Sequence, residues 1–218
     1  SLCSHSISFY DVERQIEEIK KGSEKFGSSI YWYIVYDPDC PMKSIKILDD
    51  YRDKINFAGV KIHPVIHNTR LDNKGYFPLW EYATGNGIVV VSHTWSPYTD
   101  NPKQYLSNPL LLESVLDNFG DLKIVLGHAG GKVPFYKEVI DFIKKYKNVY
   151  LDFSGDTFYP PIFRKVIDEV GQGRALFGTD MPMMDTRYHI INVLLADLND
   201  GERKSIFYNN TKKLFKIG

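Results

Sequence analysis

The feature that most constrains this chain is a repeated alternation of short, unbroken apolar runs with amphipathic stretches. "GIVVVSH" and "LKIVLGH" show the runs most clearly. A strand with one wet face alternates apolar and polar residues. A strand that is apolar throughout belongs to a parallel sheet covered on both faces. Six such runs predict strands over residues 30–36, 57–62, 88–92, 123–127, 149–153 and 175–178. Their starts lie roughly 25 to 35 residues apart, the length of a strand–helix unit.

Helical spacing fills the intervals. Val12, Ile16 and Ile19 share one face, as do Ile45, Leu48 and Tyr51. Leu111, Val115, Leu116 and Phe119 repeat the pattern, then Val139, Ile140 and Ile143. Asp11 is placed to cap the first helix. The closing stretch "GERKSIFYNNTKKLFKIG" predicts two short helices joined at Asn209-Asn210, with Asn210 as cap of the second. Two folds suit the rhythm: an open doubly wound sheet or a closed (β/α) barrel. No Gly-x-Gly-x-x-Gly follows a strand and no Walker-type loop occurs, which lowers the nucleotide-binding versions. No linker divides the chain, so residues 1–218 are expected to form one domain.

Composition removes several function classes. Lys plus Arg and Asp plus Glu both number 27, so nothing predicts an electrostatic grip on nucleic acid or an anionic membrane. No apolar run approaches the ~20 residues that span a bilayer. The start shows no basic segment followed by an apolar one. Cys3 and Cys40 make no disulfide framework and read as free thiols, which points to the cytoplasm.

The chemistry lies where strands end. "GVKIHP" delivers Lys61 and His63, "VVVSHTW" delivers His93 and Trp95, "VLGHAGG" delivers His128, and "LFGTDMP" delivers Asp180. Parallel strands open their carboxyl ends on one side, and in a barrel those ends converge. Ala129, Gly130 and Gly131 leave room beside His128 and permit a tight turn. Each residue alone has a plainer role. Asp180 could cap the next helix, Lys61 could pair on a barrel rim, and His63 before Pro64 could be a turn residue. Trp95 could be loop packing, and His67 and His189 read as structural. Two histidines and an aspartate at three strand ends together favour a site. Imidazole and carboxylate suit a divalent ion such as Zn²⁺, which activates water. Without metal, His128 and Asp180 would serve as an acid–base pair.

The segments "GVKIHP", "VVVSHT", "DLKIVLGHAGG", "NVYLDFSG", "LFGTDMP" and "NNTKKLF", in this order, resemble the amidohydrolase superfamily. The likeness is to the group that includes aminocarboxymuconate-semialdehyde decarboxylase. It implies a distorted (β/α)₈ barrel with one divalent metal, usually Zn²⁺. It implies His93 as a metal ligand and His128 as catalytic acid–base or substrate polariser. Asp180 would be a metal ligand that also handles a proton, and Lys61 takes no assigned role. One family element has no match here: the His-x-His pair of the first strand. "CSHSIS" offers His5, but Ile7 stands two residues on.

The expected fold is therefore α/β, a TIM-type barrel lacking its first one or two βα units. Two ligands, His93 and Asp180, would make a weak metal site. Exposed strand edges predict a homo-oligomer. The leading expectation is a metal-dependent hydrolase acting on a small carboxylated or cyclic substrate through activated water. The alternatives are a decarboxylase or hydratase on the same site, and an inactive barrel remnant serving as an interaction module. A metal-dependent nuclease on the same barrel is disfavoured by the neutral charge. Arg70, Trp95 and Tyr98, on loops after strands, are candidate substrate contacts.

Overall fold

In the computed structural model, residues 2–3, 11–156 and 158–217 are described. Seven parallel strands lie side by side in chain order. They are β1 (Leu2–Cys3), β2 (Tyr31–Val35), β3 (Phe57–Ile62), β4 (Val89–His93), β5 (Lys123–Gly127), β6 (Val149–Asp152) and β7 (Ala175–Leu176). All six expected strands are present, two of them with the expected bounds. The seventh, β1, pairs Leu2 with Tyr31 and Cys3 with Trp32. Two residues carry no periodicity, so no pattern announced it. A doubly wound sheet reverses its strand order at a switch point, and this sheet does not. Among the described residues, the strands therefore form the wall of a TIM-type barrel, seven strands where the closed barrel has eight, with β1 and β7 at its edges.

The helices up to residue 194 lie against the outer face of this wall. Helix α1 (Val12–Phe26) buries Val12, Ile16 and Ile19, and Asp11 Oδ1 accepts the Arg14 amide at 2.9 Å, as expected. Next come α2 (Pro41–Tyr51), α3 (Phe77–Asn86) and α4 (Glu113–Asn118). Helix α5 (Tyr136–Lys144) buries Val139, Ile140 and Ile143. Then follow α6 (Pro161–Val170) and α7 (Thr186–Leu194). Outward strand residues such as Ile34, Val60, Val90 and Ile124 meet these helices in the larger core. No helix among the described residues is long and apolar enough to cross a membrane.

The chain's end departs from expectation. Helix α8 (Asp200–Lys204), a π-helical turn (Ser205–Asn209) and α9 (Asn210–Phe215) follow one another without a break. Asn210 does not cap α9. Its amide donates to the carbonyls of Gln172 and Ala175 at 2.6 and 2.8 Å, pinning the helix to the start of β7. The extra residue of the π turn keeps the run helical where a break was expected. Helix α9 then sends Leu214 and Phe215 against the inner face, among Ala58, Val89, Val91, Val125 and Leu176. The Phe215 ring meets Tyr33 edge-on at 5.9 Å. It passes close to Gly59 near the amino end of β3, where any Cβ would lie 2.3 Å from the Val89 carbonyl oxygen.

The plug at the amino ends leaves the carboxyl ends free for chemistry. Phe215→Ala should open a cavity there and lower the unfolding free energy by about 3 kcal/mol, read by urea denaturation. An unchanged midpoint would show that the plug adds nothing.

Candidate functional site

Strand register sets the site. Lys61 on β3 pairs with Val35 and Val91, Val91 with Val125, and Val125 with Tyr150, forming one inward-facing row. Two residues further along β4, His93 faces the same way opposite Gly127. His63 follows β3, His128 follows β5, Asp152 ends β6 and Asp180 follows β7.

The imidazoles meet. His63 and His93 stack with centroids 4.0 Å apart and planes 7° from parallel. His128 stands edge-on to His93 at 4.9 Å. Trp95 lies parallel to His93 at 6.2 Å and edge-on to His128 at 5.6 Å. His63 does more than serve the turn: its Nδ1 accepts the Ile66 amide at 3.3 Å while its face covers His93. Asp180 is exposed and bears electrostatically on both Lys61 and His128. The strand ends thus bring His93, His128 and Asp180 to one mouth.

Lys61 is not a rim partner. It sits on the inner wall, where burial lowers its pKa and the charges of Asp152 and Asp180 oppose the shift. Nor does Asp180 cap a helix. Asp185 caps α7, accepting the Arg187 amide at 2.9 Å, while the Asp180 carbonyl accepts the Met183 amide at 3.0 Å. His128, Ala129 and Asp180 take φ values of 63°, 49° and 56°, the left-handed region that non-glycine residues rarely enter. Gly131 continues the turn at φ 80°, where a Cβ would lie 2.4 Å from the Trp95 ring. The small residues after His128 therefore both make the turn and seat Trp95.

Sequence reasoning missed three side chains. Asp152 Oδ1 accepts the Ser154 amide at 2.6 Å, and its carboxyl fills the space that a side chain at Gly178 would need. Ser154 Oγ lies 3.1 Å from His128 Nδ1. Gln104 Oε1 lies 3.1 Å from His93 Nε2. Strand parity with Tyr150 could have found Asp152; nothing in the sequence marks Gln104. Of the loop candidates, Trp95 reaches the site. Arg70 is held in a two-pronged pair with Asp72, and Tyr98, 75% exposed, packs on Phe135. His67 is structural, its Nδ1 2.9 Å from the buried Tyr76 hydroxyl. His189 is buried on α7.

A metal ion fits only part of this arrangement. Lone pairs of stacked imidazoles lie in separate parallel planes, so His63 and His93 do not converge on one ion. Among the described residues no group of three or more His, Cys, Asp or Glu side chains could hold a metal. A catalytic ion takes three protein ligands as a rule. The described residues do not fit a metal by themselves, and His5 lies outside them.

Burial, first, and the Lys61 charge hold the histidines neutral. His63 is lowered to about 3, His93 falls well below the ordinary range, and His128 is lowered against the pull of Asp152 and Asp180. In the unfolded chain these rings protonate near pH ~6.5. Acid therefore loads protons on the unfolded state first, and stability falls as pH drops below ~6.5. For His63 the loss continues down to about pH 3. His63→Asn should flatten the decline by up to ~1.4 kcal/mol per pH unit, measured by urea unfolding across the acid range. An identical slope would place His63 in an ordinary solvated setting.

Comparison with known proteins agrees with the fold. The family model described as amidohydrolase matches residues 30–217. Gamma-resorcylate decarboxylase of Polaromonas sp. (strain JS666) is 23% identical over 209 residues, covering 75% of this chain. The chain spans 63% of that relative's length. The crystal structure of 5-carboxyvanillate decarboxylase from Sphingomonas paucimobilis is 16% identical and superposes with a TM-score of 0.80, covering 100% of this chain and 78% of that one. Dihydroxybenzoic acid decarboxylase from Polaromonas sp. JS666, solved with bound manganese and 2-nitroresorcinol, gives 0.72 at 19% identity, covering 95% and 75%. At these identities the solved structures speak for the fold, and the match over residues 30–217 speaks for descent: this chain belongs to the amidohydrolase family.

Proposed function

We propose that this chain carries the catalytic face of a decarboxylase for small hydroxylated aromatic acids. The observation that carries the reading is Lys61, an inward-facing cation of the wall whose charge bears on the neutral rings of His63, His93 and His128. A cation among apolar and ring surfaces suits a flat anion better than a neutral amide or ester. The relatives named for decarboxylation of hydroxybenzoates support the same choice. This reverses the order of the readings drawn from sequence, where hydrolysis stood first.

Loss of CO₂ breaks the bond between ring carbon and carboxylate and puts one proton on that carbon. Lys61 holds the substrate's negative charge. Asp180, whose charge bears on both Lys61 and His128, is the second group placed to move a proton. His128, fixed at Nδ1 by Ser154, keeps its other nitrogen for proton transfer. Toward a divalent ion, the chain would contribute His93 and Asp180. Manganese is bound in one solved relative. A third donor would have to come from outside the described residues, and no step is assigned to an ion. Ile191, Leu194 and Leu195 share one exposed face of α7 and its end, which supports self-association.

Incubation with hydroxylated benzoates, followed by CO₂ release, tests the reading. His128→Ala and Asp180→Ala should each lower kcat/KM by about 100-fold or more, and Lys61→Met should raise KM most. Hydrolysis of an ester or amide with no CO₂ release would overturn it. Light scattering should show a dimer or larger assembly that Leu195→Lys dissociates; a monomeric wild type would end that part.

A further inference from the structure

The loop after β5 carries a second cation to the mouth. Lys132 Nζ lies over the Trp95 ring, 5.4 Å from its centroid. The same ring stands edge-on to His128 at 5.6 Å and parallel to His93 at 6.2 Å. One indole therefore has both the ammonium and the strand-end imidazoles as neighbours.

The root of this lysine is fixed. Its amide donates to the Gly130 carbonyl at 3.1 Å, and its own carbonyl accepts the Phe135 amide at 2.9 Å. Gly131, one residue before, lies so close to the indole that a Cβ there would fall 2.4 Å from a ring carbon. Attraction between ammonium and ring then holds the long stem down on Trp95. Such a side chain has lost part of its rotamer freedom before any ligand arrives, which lowers the entropy that binding must overcome.

Its donors are uncommitted. Lysines close by in the chain are paired with carboxylates: Lys137 with Asp141 and Lys145 with Glu113, each at 2.7 Å. Lys132 is exposed, and among the described residues its ammonium has neither an ion-pair partner nor a hydrogen bond. An ammonium carries three donors. A ring face offsets its charge weakly, whereas a carboxylate adds charge-assisted hydrogen bonds.

We propose that Lys132, held over Trp95, is an outer anion-binding group that selects aromatic acids carrying a second acidic substituent. The inference rests on the reading of this mouth as one for small aromatic acids, and it names the substrate class more closely. The carboxylate that is lost lies inward, with Lys61 and His128. The substituent that stays on the ring reaches outward to Lys132. A ring with a single acid group leaves Lys132 unused.

Calorimetric titration of the full chain with benzoate, isophthalate and terephthalate reads this selection without turnover. At least one dicarboxylate should bind wild type about fivefold more tightly than benzoate, the upper end for an exposed ion pair and more than two equivalent carboxylates give by statistics. Lys132→Met should remove that preference, and Lys132→Arg should retain it. Lys137→Met, which deletes an equal charge from α5, should leave it unchanged. Dicarboxylates bound no more tightly than benzoate, or no binding of any probe, overturn the proposal. So does a preference that survives Lys132→Met, or one that Lys137→Met abolishes as fully. Release of CO₂ from hydroxybenzoates is scored separately. Release without the preference leaves the decarboxylase reading standing alone; the preference without release leaves the outer group standing alone.

Discussion

Everything at the mouth of this barrel depends on register between β3, β4 and β5. Side chains on a strand alternate faces, so a slip of one residue sends every inward group outward. With Lys61 opposite Val91, and Val91 opposite Val125, the lysine and His93 both face inward on adjacent strands. A single-residue slip of β4 would put Val90 and Ser92 inside and His93 among the helices. The large outer core holds the register, since Val60, Val90 and Ile124 are fully buried against helices. The apolar half of each strand thereby pays for the placement of its polar half.

That placement is electrostatically economical. Burying three charged imidazoles beside an ammonium would be prohibitive, so the rings stay neutral next to Lys61. Asp152 and Asp180 offset it from β6 and from the loop after β7. The result is a set of neutral imidazoles around one inward-facing lysine, with Lys132 over the Trp95 ring.

The wall was legible in the sequence because unbroken apolar runs have few physical explanations. Residues 57–62 and 123–127 were placed to the residue for that reason. The strand-end positions of His93, His128 and Asp180 followed from the same runs. What escaped lay in features without periodicity. Strand β1 has only two residues. The π turn at Ser205–Asn209 continues a helix where two asparagines suggested a break. Gln104 reaches His93 from eleven residues on through a loop that no spacing rule describes. His63 looked like a turn residue because it is one; its second contact, across to β4, exists only once the strands are side by side.

The backbone at His128 and Asp180 says how firmly the site is held. Left-handed conformations at non-glycine residues cost of order 1–3 kcal/mol each, and three of them, at His128, Ala129 and Asp180, lie at the strand ends of this one mouth. Such strain survives only where the surroundings over-determine it. At His128 they do: Ser154 holds Nδ1, and His93 and Trp95 present their faces to the ring. At Asp180 the side chain is exposed, and its loop is braced through the backbone by the Met183 and Met184 amides. The two residues are thus strained alike but restrained differently, one by its side chain and one by its main chain.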